Sequence, residues 1–402
     1  MALLSVAEAL ERVLALAEPL PAEEIPLDEA NGGVLAHDLK ALRTQPPADV
    51  SAMDGYAVRA ADVADAPVRL QVIGEVAAGR PFPAEVGAGQ AARIFTGGVV
   101  PAGADTVVIQ EVTARHGDAV EIHKPTVKGR NVRPKGLDFR AGETLLHRGH
   151  RLTPRDLALA AGMNHPLVPI HRRPRIALFA TGDELVPPGR EPGPGQIVYS
   201  NGFSLAALVR AEGADVTDLG VVHDTLQATV TAIRDARELP ADILVTTGGA
   251  SVGEYDFVQQ AFAKEGMTLS FWKVAMRPGR PLMHGRLGDM HVLGLPGNPV
   301  SSYVCAFLFL VPLIRRMSGR ADLVQQAEHA TLGCDLAEND ERADYLRATL
   351  QDGAEGPIAT PFAVQDSSMM APLARAGCLV LRAPHAPAAK AGSRCEMLRL
   401  DR

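Results

Sequence analysis

Four apolar runs of this chain end on residues able to do chemistry. Thr181-Gly182-Asp183-Glu184 follows RIALFA, His223-Asp224 follows DLGVV, TTGGASVGEYD follows ILV, and Pro296-Gly297-Asn298-Pro299 follows HVLGL. Glycine lets backbone approach a ligand and proline fixes φ, so the last of these is a stiff, bare loop. If Asn298 or Ser301 caps the helix that follows, the free N–H groups of its first turn favour an anion. A crowded strand-to-helix turn without any ligand would use the same residues. The run from Thr246 to Gly253 offers bare N–H groups at Gly248, Gly249 and Gly253 and a hydroxyl at Ser251, the chemistry that cradles phosphate or another oxyanion. It lacks the GxxxxGK[ST] pattern of an ATPase loop.

Charge of both signs surrounds these loops. Lys273, Arg277, Arg280 and Arg286 fall within a short span, while Asp183, Glu184, Asp224, Glu254 and Asp256 follow the strands. Carboxylates beside an anion loop repel the ligand unless a divalent cation lies between them, and hard oxygen ligands suit Mg²⁺. A metal-assisted oxyanion site is therefore expected. Asp224 with Gln227 and Asp256 with Gln259 also fit helix capping boxes, a role that does not exclude the first. A competing reading is a serine hydrolase or amidase, because Gly249-Ala250-Ser251-Val252-Gly253 matches the GxSxG nucleophile elbow, with Asp289 and His291 in the right chain order. Against it, Gly288-Asp289 looks like a hairpin turn and His291 opens a strand.

The elements that must position these residues follow from periodicity. From Arg175 onward, apolar runs of strand length (RIALFAT, DVTDLGVV, DILVTTGG, FWKVAM, HVLGLP) alternate with amphipathic stretches, the signature of a mainly parallel sheet covered by helices on both faces. Ligands of such sheets bind beyond the carboxyl ends of the strands. Residues 43–136 and 321–402 carry short β-like runs broken by glycine and proline, and predict two small β domains. Two helices announce themselves by their caps: Ser5 with Glu8 near the N-terminus, and Thr153, Pro154 and Asp156 before LALAAG.

Composition limits the function. At 402 residues, two to four domains are expected. A formal net charge of −7 with 4% aromatics argues against a nucleic-acid surface. The longest apolar run, Tyr303 to Ile314, is interrupted by Pro312 and falls short of the roughly 18 to 20 residues of a membrane span, so no membrane is expected. The start of the chain predicts an amphipathic helix instead of a signal peptide, hence the cytoplasm. The 4 cysteines lie far apart and lack CxxC spacing, which suits neither zinc nor a disulfide framework.

Taken together, SAMDGYAVR, RIFTGGVVPAGAD, TGDEL, SNGFSLAALV, TTGGASVGEYDF, FWKVAMRPGRP and GLPGNPVSS resemble the MoeA family, the molybdopterin molybdenumtransferases that include the gephyrin E domain. The resemblance spans nearly the whole chain. It implies an elongated four-part homodimer: a molybdopterin-binding α/β three-layer domain (1–20 and 174–320), a linking lobe (21–42 and 137–173), a β-rich domain (43–136) and a C-terminal β domain (321–402). It also implies insertion of molybdenum from molybdate into adenylylated molybdopterin with Mg²⁺, releasing AMP. Asp54, Thr96, Asp138, Glu184, Lys273 and Arg277 match the family's catalytic positions, the first two facing the active site of the partner subunit. Glu184, Asp224 and Asp256 match its acidic rim, the residues expected to hold Mg²⁺. Thr181, Gly182, Ser200, Asn201, Arg280, the 296–299 loop, Arg347, Ser367 and Ser368 complete the implied substrate site. A molybdopterin adenylyltransferase and molybdoenzyme acceptors are implied partners, and a dimeric scaffold is a further role seen in the gephyrin relative. Three features depart from the pattern: arginine stands at 277 and 280 where lysine is common, Leu137 replaces an acidic neighbour of Asp138, and the tail's QDSSMM and RAGC are looser than the family's serine-rich and AN patterns.

Overall fold

The computed structural model describes residues 3–248 and 257–400. Its central sheet has six strands in the order Asp215–Val222, Arg175–Thr181, Ile243–Thr247, Met290–Leu295, Met283–Leu287 and Thr268–Trp272. The first four are parallel, and the last two join antiparallel. Strands covered on both faces must be apolar throughout, and Met290–Leu295 is buried at every position. Alternate residues feed two cores. Leu178, Val245 and Leu293 pack with Val209 and Phe309 on one face, and Phe179, Leu244 and Val292 with Ile233 and Phe262 on the other. Because four strands run the same way, Thr181, Val222, Thr247 and Leu295 finish in register at one edge.

The helix Val6–Ala15 starts at the expected capping box, with the Glu8 carboxylate accepting the Ser5 N–H at 2.9 Å. It buries Ala9 and Val13 in the first of these cores, with Ala17 just after it, so the N-terminal segment packs with the α/β region. The longest helix, Pro299–Met317, has the length and apolarity of a membrane span but is mostly buried. It runs past Pro312, where the sequence suggested an interruption, by way of a π-helical turn at Ala306–Leu310. A wide turn there accommodates the missing N–H and the ring of the proline.

Two further sheets flank this domain. One takes its strands from residues 55 to 122, in the order Thr106–Ile109, Gly55–Val58, Gln90–Ile94, Val68–Val76, Ala119–Ile122, Thr113–His116. The other comes from the tail and closes on itself where Ala343–Gly353 pairs with Cys378–Arg382. Between the first and the α/β region, Ala22–Pro26 pairs with Leu167–His171 over a cluster of Leu35, Phe139, Leu152, Met163 and Ile170. The helix Pro154–Gly162 in that lobe is capped as expected, Asp156 accepting the Thr153 N–H at 2.8 Å. The run FWKVAM is not one strand as periodicity suggested. It stops at Trp272, Lys273 takes a left-handed φ of 82°, and Met276–Arg277 leaves to pair with the tail strand at Ala343 and Asp344.

The edge of the sheet opposite the four carboxyl ends is polar inside. Arg286 Nη1 donates to the Leu16 carbonyl at 2.8 Å and lies 2.9 Å from His291 Nε2. A guanidinium has only donors, so His291 must accept at Nε2 and carry its proton on Nδ1. That proton points to His284 Nε2 at 3.3 Å and leaves His284 Nδ1 without a partner among the described residues. Burial pushes His284 down to about 3 and His291 to about 4. Both stay neutral in the folded chain while the unfolded chain protonates them near 6.5. The sign follows: their penalty is absent above pH 6.5 and grows as pH falls toward 4. Urea midpoints are expected to drop steadily from pH 7 to 5, and a flat profile would contradict the buried neutral pair. A second expectation concerns Gly55, where an added Cβ would land on the Val108 carbonyl of the neighbouring strand. Backbone cannot step aside cheaply, so Gly55→Ala should cost about 1 to 3 kcal/mol in calorimetric unfolding.

Candidate active site

Where the four parallel strands end, a cleft of about 990 Å³ opens between the α/β domain and the tail domain. Thr181, Glu184, Ser200, Asn201, Asp224, Gly248, Arg277, Arg280, the 296–299 loop, Ser367 and Ser368 all line it. These residues span almost 190 positions, and the sheet edge is what gathers them. The rim loops touch each other directly. Gly248 adopts φ +88°, and a Cβ there would meet the Thr181 carbonyl at 2.5 Å; a Cβ on Gly297 would come within 3.5 Å of Gly248. At residue 248 only glycine allows that approach, because both the left-handed φ and the Thr181 carbonyl leave no space for a Cβ. Thr181 Oγ1 is buried with no hydrogen-bond partner among the described residues, leaving one hydroxyl at the cleft wall unsatisfied.

The proline loop is held from both sides. Asn201 Nδ2 donates to the Gly297 carbonyl at 2.7 Å, and Asn298 Nδ2 donates to Ser367 Oγ at 2.8 Å. Asn298 does occupy the cap position of the helix Pro299–Cys305, but its side chain serves the tail instead of the helix. Ser301 lies inside that helix and is buried. The acidic rim also differs from one expectation. The helix Leu226–Glu238 is capped by Thr225, whose hydroxyl accepts the Ala228 N–H at 3.2 Å, so Asp224 is not its cap and is left at the cleft. Asp183 turns away to His223 Nδ1 at 2.8 Å, and that hydrogen bond lowers its pKa. Glu184 folds back over Gly182, where a Cβ would sit 2.7 Å from the carboxylate.

The four basic residues separate. Arg286 belongs to the histidine chain at the far edge of the sheet, and Lys273 lies over the Trp272 ring at 4.2 Å, outside the cleft lining. Arg277 is engaged by the tail: Nε donates to Asp344 Oδ1 at 2.8 Å, Nη2 to Asp344 Oδ2, and Nη1 to Asp340 at 3.4 Å. Arg280 has no ion pair or side-chain hydrogen bond among the described residues, and is the cation of the cleft most open to a ligand. Asp54, Thr96 and Asp138 do not line this cleft either. Asp54 Oδ1 accepts the Thr96 N–H at 2.7 Å and its hydroxyl at 2.8 Å, and these bonds hold the carboxyl below the usual range. Arg347 is likewise absent from the lining; it is enclosed behind the Ser367 loop. Gly249, Ser251, Gly253, Glu254 and Asp256 lie outside the described residues. For the hydrolase reading, His291 is buried at the far end of its strand from Leu295, away from the cleft.

Sequence reasoning missed Tyr199, Gln365 and Arg342 in the lining. Tyr199 directly precedes the Ser200-Asn201 helix start and could have been found from it; the other two depend on how the tail folds. Arg342 joins the ion cluster through Asp340, whose carboxyl its hydrogen bond holds down to about 2. A depressed carboxylate contributes its pairing above its unfolded value of 3.8 and loses it as pH falls through 2. Asp344→Asn should cost about 1 to 2 kcal/mol in urea unfolding, less than a fully buried pair because the Arg277 side chain is 48% exposed. No measurable change would mean that the cluster does not tie the two domains.

Comparison with known proteins agrees with this architecture. Family patterns for the MoeA N-terminal region (domain I and II), a probable molybdopterin binding domain and the MoeA C-terminal region (domain IV) match residues 4–163, 177–316 and 329–400. The molybdopterin molybdenumtransferase of a Nostoc species is 42% identical over 74% of this chain and 70% of its own length. That of Haemophilus influenzae is 33% identical over 90% of each chain. The crystal structure of the molybdopterin biosynthesis MoeA protein from Pyrococcus horikosii superposes with a TM-score of 0.85 at 30% identity, covering 99% of both chains. By its three matched regions, its full-length relatives and its fold, this chain belongs to the MoeA family.

Proposed function

We propose that the chain acts as its relatives are named, as a molybdopterin molybdenumtransferase of molybdenum cofactor biosynthesis, inserting molybdenum from molybdate into adenylylated molybdopterin with Mg²⁺ and releasing AMP. The observation that carries this reading is the cleft itself, which is lined by two carboxylates, an open guanidinium, glycine backbone at 248 and 297, and a Thr181 hydroxyl with no partner among the described residues. Arg280 attracts the tetrahedral oxyanion, and its planar fork offers two parallel donors where a lysine would offer a point charge. Thr181 Oγ1 and the hydroxyls of Ser367 and Ser368 orient it. Gly248 and Gly297, which line the cleft without side chains, would let a phosphate group approach the backbone there.

The donor set suits a magnesium ion held partly by substrate. Among the described residues no group of three His, Cys, Asp or Glu converges, but Glu184 and Asp224 line one cleft. Mg²⁺ is commonly bound by one or two carboxylates with substrate phosphates and waters. Glu184 and Asp224 would hold it, with Asp256 as the third expected ligand; bound there, it would supply positive charge to neutralise and polarise the pyrophosphate.

Asp54, Thr96 and Asp138 lie outside this chain's own cleft, and we read Asp54 and Thr96 as completing the site of the partner in a homodimer. The Thr96 bonds keep Asp54 ionised and aimed. We read the reaction as cytoplasmic, a compartment that suits four free cysteines. The substrate would come from an adenylyltransferase acting on molybdopterin, and the product would pass to molybdoenzymes.

Molybdate-dependent AMP release from adenylylated molybdopterin tests the reading, and its absence from the purified chain would sink it. Glu184→Gln should lower that release at least about 100-fold with the fold intact. Mixing inactive Asp54→Ala and Glu184→Gln chains should restore about a quarter of the wild-type rate, since half the dimers then hold one complete site. No recovery after verified exchange would place Asp54 in its own chain's chemistry.

A further inference from the structure

Arg347 lies in the strand Ala343–Gly353 and is 1% exposed, yet no carboxylate stands within ion-pair distance of it among the described residues. Its partners are neutral. Nη1 donates to the Met369 carbonyl at 3.0 Å, Nη2 to the Asp366 carbonyl at 2.9 Å and Nε to Gln365 Oε1 at 3.3 Å. Gln365 answers reciprocally, its Oε1 accepting the Arg347 N–H at 3.0 Å and its Nε2 donating to the carbonyls of Arg347 and Phe362, each at 2.9 Å. The Asp366 carboxylate turns the other way, accepting the Ser368 N–H at 2.8 Å and hydroxyl at 2.6 Å.

All of these contacts fall on one segment, residues 362–369, and that segment forms the tail's wall of the cleft. Ser367 accepts from Asn298 at its hydroxyl and from the Val300 N–H, at 3.1 Å, at its carbonyl. Burying a guanidinium is costly, and a leucine or methionine would fill the space without that cost. What only arginine supplies is a rigid planar fork that fixes several acceptors at once. Here the acceptors are the two carbonyls bracketing Ser367 and Ser368 and the amide just before them.

We propose that Arg347 is a positioning residue: a buried clamp that holds the 365–369 loop closed over the cleft and presents Ser367 and Ser368 to the bound anion without touching it. The clamp follows from geometry alone; its consequence for ligand rests on the reading of the cleft as an oxyanion site. Lysine at 347 keeps the charge but cannot reach three acceptors in one plane. The loop then opens while the strand beneath stays formed.

The test uses the full chain carrying Arg347→Lys, with Gln365→Ala as a second variant that unmakes the same clamp should the first fail to fold. Amide hydrogen exchange should quicken by at least about tenfold across 365–371 in either variant, with the strand 343–353 still protected. Molybdate titrated alone should bind about 5- to 20-fold more weakly, and in the full reaction KM for molybdate should rise with kcat little changed. Adding Ser367→Ala to Arg347→Lys should weaken binding less than the sum of the single changes, because both release one loop. Unchanged exchange across 365–371, or loosening that spreads through the whole tail domain, overturns the clamp. A loop that loosens as expected in a chain whose wild type binds no molybdate overturns the oxyanion reading and upholds the clamp.

Discussion

The site depends on how the proline loop is clasped. Backbone leaving the carboxyl edge of a parallel sheet has no strand neighbour left to bond, so the rim must find its partners in side chains and in other loops. Here Asn201 takes the Gly297 carbonyl from the α/β side, while Asn298 Nδ2 and the Val300 N–H reach across to Ser367 of the tail. Proline at 296 and 299 narrows the conformations the loop could adopt before it is clasped, which lowers the entropy cost of holding it. Two domains therefore share one wall.

Electrostatics divides the nearby arginines by what each can reach. A chain with a net charge of −7 must concentrate positive potential locally to hold an anion. Arg277 is absorbed by Asp344 and Asp340 and ties the short strand Met276–Arg277 to the tail sheet. Arg280, three residues on, has no such partner among the described residues and keeps its donors for the cleft. Arg347 is enclosed by carbonyls and gives its charge to the loop from behind. Identical side chains thus end in a tie, an open cation and a clamp.

The acidic groups are sorted in the same way. Thr225 takes over the helix cap and frees Asp224, while His223 draws Asp183 aside. Glu184 can turn back over the rim because residue 182 has no side chain in the way.

Much of this was legible in the chain alone. The period-two and continuous apolar runs determined the parallel sheet and the β-rich flanks, and with them the rule that Thr181, Asp224, Gly248 and Pro296 would meet at one edge. Capping boxes at Ser5 and Thr153 placed their helices, because caps act over three residues and need no tertiary partner. What the folded chain alone decided was which candidates are free. Whether Lys273 faces a ligand or a tryptophan ring, whether Arg286 joins the cleft or a histidine pair, and whether Arg347 touches a substrate or braces a loop all turn on contacts made across tens to hundreds of residues. Residue type and spacing specify the chemistry a side chain can do; the partner that reaches it first in the packed structure settles which it does.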